Sequence, residues 1–206
     1  MPFSSVYEMF APLTTVRKQH FWDYFTGGSI HSRWNAVNRV GSNTFAMSNT
    51  GGGFSITTST VSNAEGLIGF NDKRPFNQDG SVFIFVVKRD SGATTIQMMG
   101  GNSSNSDYLS DYSAYRDASS DTYKSLQTHD GSSLTTTNSD VAVNQDWTTG
   151  KIEMTSANHK LNLDGVLKAT STTNLPSSKL QPVMRAYSSG STAKTVSIKY
   201  CEVYNT

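Results

Sequence analysis

Seven short runs in this chain alternate apolar and polar residues, each closed off by Gly, Asn, Asp, Ser or Thr. They are FSITTST from Phe54, SVFIFVVKRD from Ser81, TTIQMMGG from Thr94, GKIEMTS from Gly150, HKLNLDG from His159, QPVMRAY from Gln181 and KTVSIKYCEVY from Lys194. A period of two turns one side of each run toward a core and the other away from it. Runs this short, separated by turns this often, fit a sandwich or barrel of antiparallel strands. Composition agrees, because roughly a quarter of the residues are Ser or Thr while Glu and Leu are scarce, opposite to the bias of helical bundles. Helix is expected only near the N-terminus, where Ser5 and Glu8 have capping-box spacing and Pro12 ends the turn.

With 206 residues the chain is long enough to bury one core, and it divides into an N-terminal arm, 1–20, and a single β domain, 21–206. The arm carries Phe3, Val6, Tyr7, Met9, Phe10 and Leu13, apolar side chains suited to packing on the domain or on a neighbouring subunit. A formal net charge of +1 leaves no excess to hold a nucleic-acid backbone or an anionic membrane surface. The lone Cys201 can form neither an internal disulfide nor a cysteine zinc site. It lies in a strand apolar at both parities, where a free Cys is inert packing. The start, MPFSSVYEMF, lacks a secretory pattern, and no apolar run reaches a membrane span, so a soluble chain is expected.

In HKLNLDGVLKA, Asp164-Gly165 supplies the residue types that a two-residue type I′ turn demands. Leu163 should then face Val166, with Leu161, Leu163 and Val166 on one side and Asn162 and Leu167 on the other. The parts that follow keep an order: a Trp-led strand (DWTTGKIEMTS), the LDG hairpin, a VLKATSTTNLPSSKLQP connection, an apolar strand and a closing AKTVSIKYCEVYN. This order resembles the C-terminal half of concanavalin A-like, or laminin-G-like, jelly rolls. FWDYFTGGSIHSRWN followed by GGGFSITTST resembles the beginning of the same fold in phage and other viral structural proteins. The resemblance spans about Phe21 to Tyr204. It implies two facing antiparallel sheets, with Ile152, Met154, Leu161, Leu163, Val183, Val196 and Ile198 in the core.

Function has to be argued from a site. Hydrolases of this fold would carry carboxylates at alternate positions of one strand, aimed at one bond. The chain has four glutamates, Glu8, Glu65, Glu153 and Glu202, and none has a carboxylate two residues away. Glu153 is expected on a solvent face. Lyases would need an acid and a base such as His and Tyr, beside Arg or Gln to neutralise a uronate. His31, Arg33, His129, Tyr123 and Gln127 supply those types without a pattern that gathers them. His31 and Arg33, at period two, would share a face if extended, but Arg33 is expected to pair with an acid and Trp34 to pack at the sandwich edge.

His20, His31, His129 and His159 are too scattered for zinc. Asp72, Asn77 and Asp79 form the one candidate calcium loop, of a kind that also closes without metal, so no cofactor is assigned. The stretch 102–133 interleaves Tyr108, Tyr112, Tyr115 and Tyr123 with Asp107, Asp111, Asp117 and Asp121. Such residues suit a glycan groove or a protein interface, with Tyr108, Tyr112, Tyr115, Tyr123, Asp107 and Asp111 as the contact candidates, although strand alternation also explains them. From the resemblance and the missing catalytic pattern, the expectation is a non-enzymatic virion component, a capsid decoration, fibre or tail-associated jelly roll. Its partners would be other virion proteins, copies of itself and a cell-surface glycan. A lectin-like module or a glycan-cleaving hydrolase or lyase of the same fold is the alternative.

Overall fold

The computed structural model describes residues 19–48, 53–70, 73–100 and 111–206. Residues 1–18 of the N-terminal arm, with its expected helix turn and its residues Phe3 to Leu13, lie outside the described residues, as do Asp72, Asp107 and Tyr108. Fifteen strands make two antiparallel sheets, and the described residues contain no helix. One sheet runs β13 (Val166–Ser171), β12 (His159–Leu163), β11 (Thr148–Met154), β6 (Ser81–Arg89), β15 (Thr195–Asn205), β4 (Phe54–Thr57), β3 (Thr44–Met47). Its eighth strand, β1 (His20–Asp23), also pairs with β15. The other sheet runs β10 (Leu134–Ala142), β9 (Tyr123–His129), β8 (Tyr112–Ala118), β7 (Thr94–Gly100), β14 (Gln181–Ser188), β5 (Ala64–Gly69), β2 (Asn35–Val40).

The alternation seen in the sequence is the reason for two layers. Phe83, Phe85, Val87, Ile152, Met154, Leu161, Leu163, Val196 and Ile198 point inward from the eight-stranded sheet. They meet Ile68, Met99, Tyr115, Leu126, Met184 and Ala186 of the seven-stranded sheet. Full burial of side chains of this size contributes about 1.5–3 kcal/mol each against their ordering entropy. Close packing fixes one residue type outright: a Cβ at Gly150 would sit 2.1 Å from the Phe85 ring, so β11 and β6 approach only because that position is glycine.

The LDG hairpin has the expected turn. Asp164 and Gly165 have φ of 49° and 84°, and Leu163 pairs with Val166. Val166 and Leu167 are both exposed, however, at the start of the edge strand β13 and beside a register shift between Leu161 and Asn162. Val183 also departs from expectation. It is buried, but with Leu67, Ile96, Tyr112 and Ala114 in a second apolar cluster on the outward side of the seven-stranded sheet. No helix among the described residues is long and apolar enough to cross a membrane.

Candidate functional site

Period two splits β9 cleanly. Lys124, Leu126 and Thr128 point into the sandwich, while Tyr123, Ser125, Gln127 and His129 point outward. Antiparallel register then sets their neighbours: His129 lies beside Tyr112, Gln127 beside Ala114 and Ser125 beside Arg116 on β8. Arg116 in turn lies beside Ile96 on β7, and Ile96 beside Arg185 on β14. Two guanidiniums therefore flank one apolar position on the outward side, and Tyr112 feels the positive field of both.

Each polar group here has a defined environment. The Tyr112 ring stacks on His129 with centroids 5.5 Å apart and planes 20° apart. Burial pushes the Tyr112 phenol above its ordinary value, and the Arg185 and Arg116 charges offset part of that rise. His129 Nδ1 accepts from the Gly131 amide at 3.0 Å and the Asp111 amide at 3.3 Å, so the neutral ring carries its proton on Nε2 and offers it as a donor. Asp111, in the left-handed region at φ 74°, accepts from the Ser177 and Ser178 amides at 2.8 and 3.1 Å and ties that connection to the start of β8.

Arg116 Nε donates to Asp121 Oδ2 at 2.8 Å. Glu65 is buried between Arg39 Nη1 at 2.9 Å and Arg185 Nε at 2.8 Å. The Arg185 contact lies off the N–H direction, so it is an ion pair rather than an aligned hydrogen bond. Desolvation lowers the Arg185 pKa and Glu65 opposes the shift. Three guanidiniums thus share this side with the two carboxylates Glu65 and Asp121. The arrangement can bind an anion through guanidinium and Nε2–H donors, and it can give a proton from the phenol.

The expected contact residues divide three ways. Tyr112 and Tyr123 are on the outward side, Tyr115 is fully buried in the core, and Asp111 is a turn-fixing acceptor rather than a free ligand. Tyr123, Gln127 and His129, which the sequence supplied without an evident grouping, share one side of β9, with Gln127 and His129 neighbours there and Tyr123 at the far end of the strand. His31 and Arg33 are not part of this group. They sit in a turn where His31 Nδ1 accepts the Arg33 amide at 3.1 Å, and Arg33 lies over the Phe21 ring at 5.6 Å rather than on an acid. Trp34 is buried, with Nε1 donating to Asp23 at 2.9 Å.

Glu153 pairs with Lys151 at 2.9 Å and accepts from Asn162. In the candidate calcium loop Asp79 accepts the Ser156 amide at 2.9 Å, and no three metal-ligating side chains cluster among the described residues. Cys201 is fully buried, and burial pushes its thiol well above the ordinary value. Sequence reasoning missed Arg116, Arg185, Glu65 and Arg39. The available signal was an arginine inside otherwise apolar strands, in SAYRDA and QPVMRAY.

No protein-family model matches the chain, and no curated protein matches its sequence. Solved structures do. A pseudo β-1,3-glucanase and immunostimulatory antigen of Mycobacterium tuberculosis matches with TM-score 0.65 at 12% identity, over 90% of this chain and 98% of that one. A native glycosidic hydrolase matches with TM-score 0.66 at 13% identity, over 92% and 97%. A Bacillus licheniformis β-glucanase matches with TM-score 0.61 at 13% identity, over 91% and 98%. These likenesses establish the jelly-roll sandwich. The expected virion component and the expected absence of enzymatic character do not stand, because these full-length matches are to proteins named as a glucanase, a glycosidic hydrolase and a pseudo-glucanase, none of them a virion protein.

Proposed function

We propose that the chain is a glycan-cleaving jelly roll that holds an acidic polysaccharide across the outward side of its seven-stranded sheet. The observation that carries this reading is the convergence of Tyr112, Arg116, Gln127, His129 and Arg185 on that side. Guanidinium groups match a sugar carboxylate in shape and charge, the Gln127 amide and the His129 Nε2–H suit hydroxyls, and tyrosine rings suit the apolar face of a pyranose. The glucanase and glycosidic-hydrolase names of the matched structures support glycan cleavage over assembly.

Of the two cleavage chemistries, elimination fits these residues better than hydrolysis. Hydrolysis needs two carboxyl groups flanking the scissile bond. Here Glu65 and Asp121 are each tied to arginine. Elimination needs the uronate carboxylate neutralised, which arginine supplies, a base to take the C5 proton and an acid to protonate the leaving oxygen as the C4–O bond breaks. Tyr112 would serve as both in turn: its ionised oxygen, stabilised by the Arg185 and Arg116 charges against the cost of burial, takes the C5 proton and returns it to the leaving oxygen.

The test is incubation of the full chain with uronate-bearing polysaccharides and with a neutral β-glucan. The ultraviolet absorbance of unsaturated uronate ends is read beside the total of new reducing ends. Unsaturated ends from an acidic polysaccharide, lost in Tyr112→Phe with melting unchanged, are expected. New reducing ends without unsaturation, or cleavage of the neutral glucan alone, would overturn the assignment.

A further inference from the structure

A cavity lies elsewhere, where the turn before β2 and the loop after β5 meet β1. It encloses about 640 Å³, within the range of small-molecule sites. Its wall is aromatic: Phe70 and Phe76 are almost fully buried, and Phe70 packs edge-on to Phe21 at 4.7 Å. Its rim is cationic. Arg33 and Lys73 are both exposed, and neither has a carboxylate partner among the described residues. Arg33 is nonetheless held in place, because its guanidinium lies over the Phe21 ring at 5.6 Å. Ser32 and Gln19 add a hydroxyl and an amide, and His20 adds an imidazole whose Nε2 is engaged by Glu202 at 2.8 Å.

An apolar wall below two cations that have no carboxylate partner among the described residues, with neutral polar groups at the side, fits one class of ligand. The ligand is a ring with an apolar face, a carboxylate on one edge and hydroxyls on the other. We propose that this cavity is a second site, for a carboxylated sugar, either a free sugar acid or the terminal residue of an acidic glycan. It shares no residue with the outward side of β8 and β9. Arg185 on β14, the proposed contact nearest in the sheet order, is two strands from β2, and β9 is five. The inference therefore stands or falls apart from the reading of that side.

The experiment titrates the full chain with glucuronate, with glucose and with an oligomeric uronate, following chemical shifts and heat. Three proteins are compared: wild type, the double variant Arg33→Ala/Lys73→Ala, and Arg116→Ala. Both rim residues are exposed, so the double variant should melt with the wild type.

The expected result is a saturable glucuronate perturbation of the Ser32, Phe70 and Phe76 signals that weakens at least about tenfold in the double variant, weakens with salt, and persists in Arg116→Ala. Binding of the oligomer but not the monomer, with the same dependence on Arg33 and Lys73, supports the site and assigns it to chain ends. Equal binding of glucose, perturbation of the Ser32, Phe70 and Phe76 signals that survives the double substitution, or no saturation of those signals by either uronate would overturn the proposal. Loss in Arg116→Ala alone would also overturn it, by assigning the ligand to the outward side of β8 and β9.

Discussion

β8 and β9 carry similar chemistry on their two sides and arrange it in opposite ways. Inward, Asp117 accepts from Arg89 at 2.6 Å and from Tyr115 at 3.2 Å. Lys124 donates to Thr148 at 2.6 Å and lies 3.8 Å from the Asp117 carboxylate. All four ionic and phenolic groups are nearly solvent-free. Burial pulls the Lys124 ammonium below its ordinary value, and Asp117 opposes the shift. Outward, Arg116 is part-exposed, His129 presents a donor, and the guanidiniums outnumber the carboxylates. A closed network ties the two sheets together; an open one has capacity left for a ligand. The lesson is that residue type did not separate structure from site, whereas side of the strand did.

The largest effect should come from breaking the closed network. Asp117→Ala strands the Arg89 and Lys124 cations beneath the sheet, a loss of about 3–5 kcal/mol, which for a domain of this size is roughly 10 °C in melting temperature. Calorimetry checks it. A shift within a degree or two would mean that the inward groups are as dispensable as surface ones, and the comparison would fail.

His159 sharpens the same contrast, because it is a buried polar group on the inward side with no aligned hydrogen bond to either ring nitrogen among the described residues. Burial lowers its pKa from 6.5 to about 4, and the Thr155 backbone opposes that only in part. The folded pKa is depressed, so the neutral imidazole's contribution is fully present above about pH 6.5. It is lost as the pH falls toward 4, because the unfolded chain takes up the proton first. The loss over that window should approach about 3 kcal/mol. Urea titrations at pH 7 and pH 4.5 on wild type and His159→Leu test it. The variant should remove most of this acid-dependent decline, and an equally steep decline would place its source in another group.

Packing distinguishes the two sides at smaller cost. Gly150→Ala puts a methyl into the Phe85 ring, and displacing that ring should cost about 1–3 kcal/mol. Thr149→Ala, one residue away on the exposed side, should change stability by less than about 0.5 kcal/mol. Equal midpoints in denaturant for the two variants would contradict the inward orientation of Gly150.

The sandwich was legible in the sequence because its determinants are local. Alternating runs such as SVFIFVVKRD fix which residues face the core, and Asp164-Gly165 fixes a turn through its positive φ values. The site was legible only in parts. Gln127 and His129 stand two apart, which tells that they share a side but not which side. Arg116 and Arg185 are far apart in sequence and meet through the order β8, β7, β14, which no local pattern encodes. His31 and Arg33 misled for a related reason: period two means a shared side only in a strand, and those residues occupy a turn. The expected Val183 position failed because both sides of the seven-stranded sheet carry apolar residues, so alternation did not mark the inner one.

The smallest expected stability effect carries the most functional information. Arg116 is 28% exposed and its partner Asp121 30%, so their ion pair is screened and should contribute less than about 1 kcal/mol. Arg116→Ala should therefore melt within a few degrees of wild type. The same substitution removes one of the two guanidiniums that flank Ile96, and with it the N–H groups that Asp121 leaves for a sugar carboxylate. Retention on an immobilised acidic polysaccharide should fall at least about tenfold at low salt, and added salt should erase the difference between the proteins. Arg116→Lys keeps the charge without the planar fork and should recover only part of the retention. If Arg116→Ala binds as wild type does while Asp117→Ala still unfolds the domain, the inward network keeps its structural role. The outward side would then lose its claim to be the glycan site.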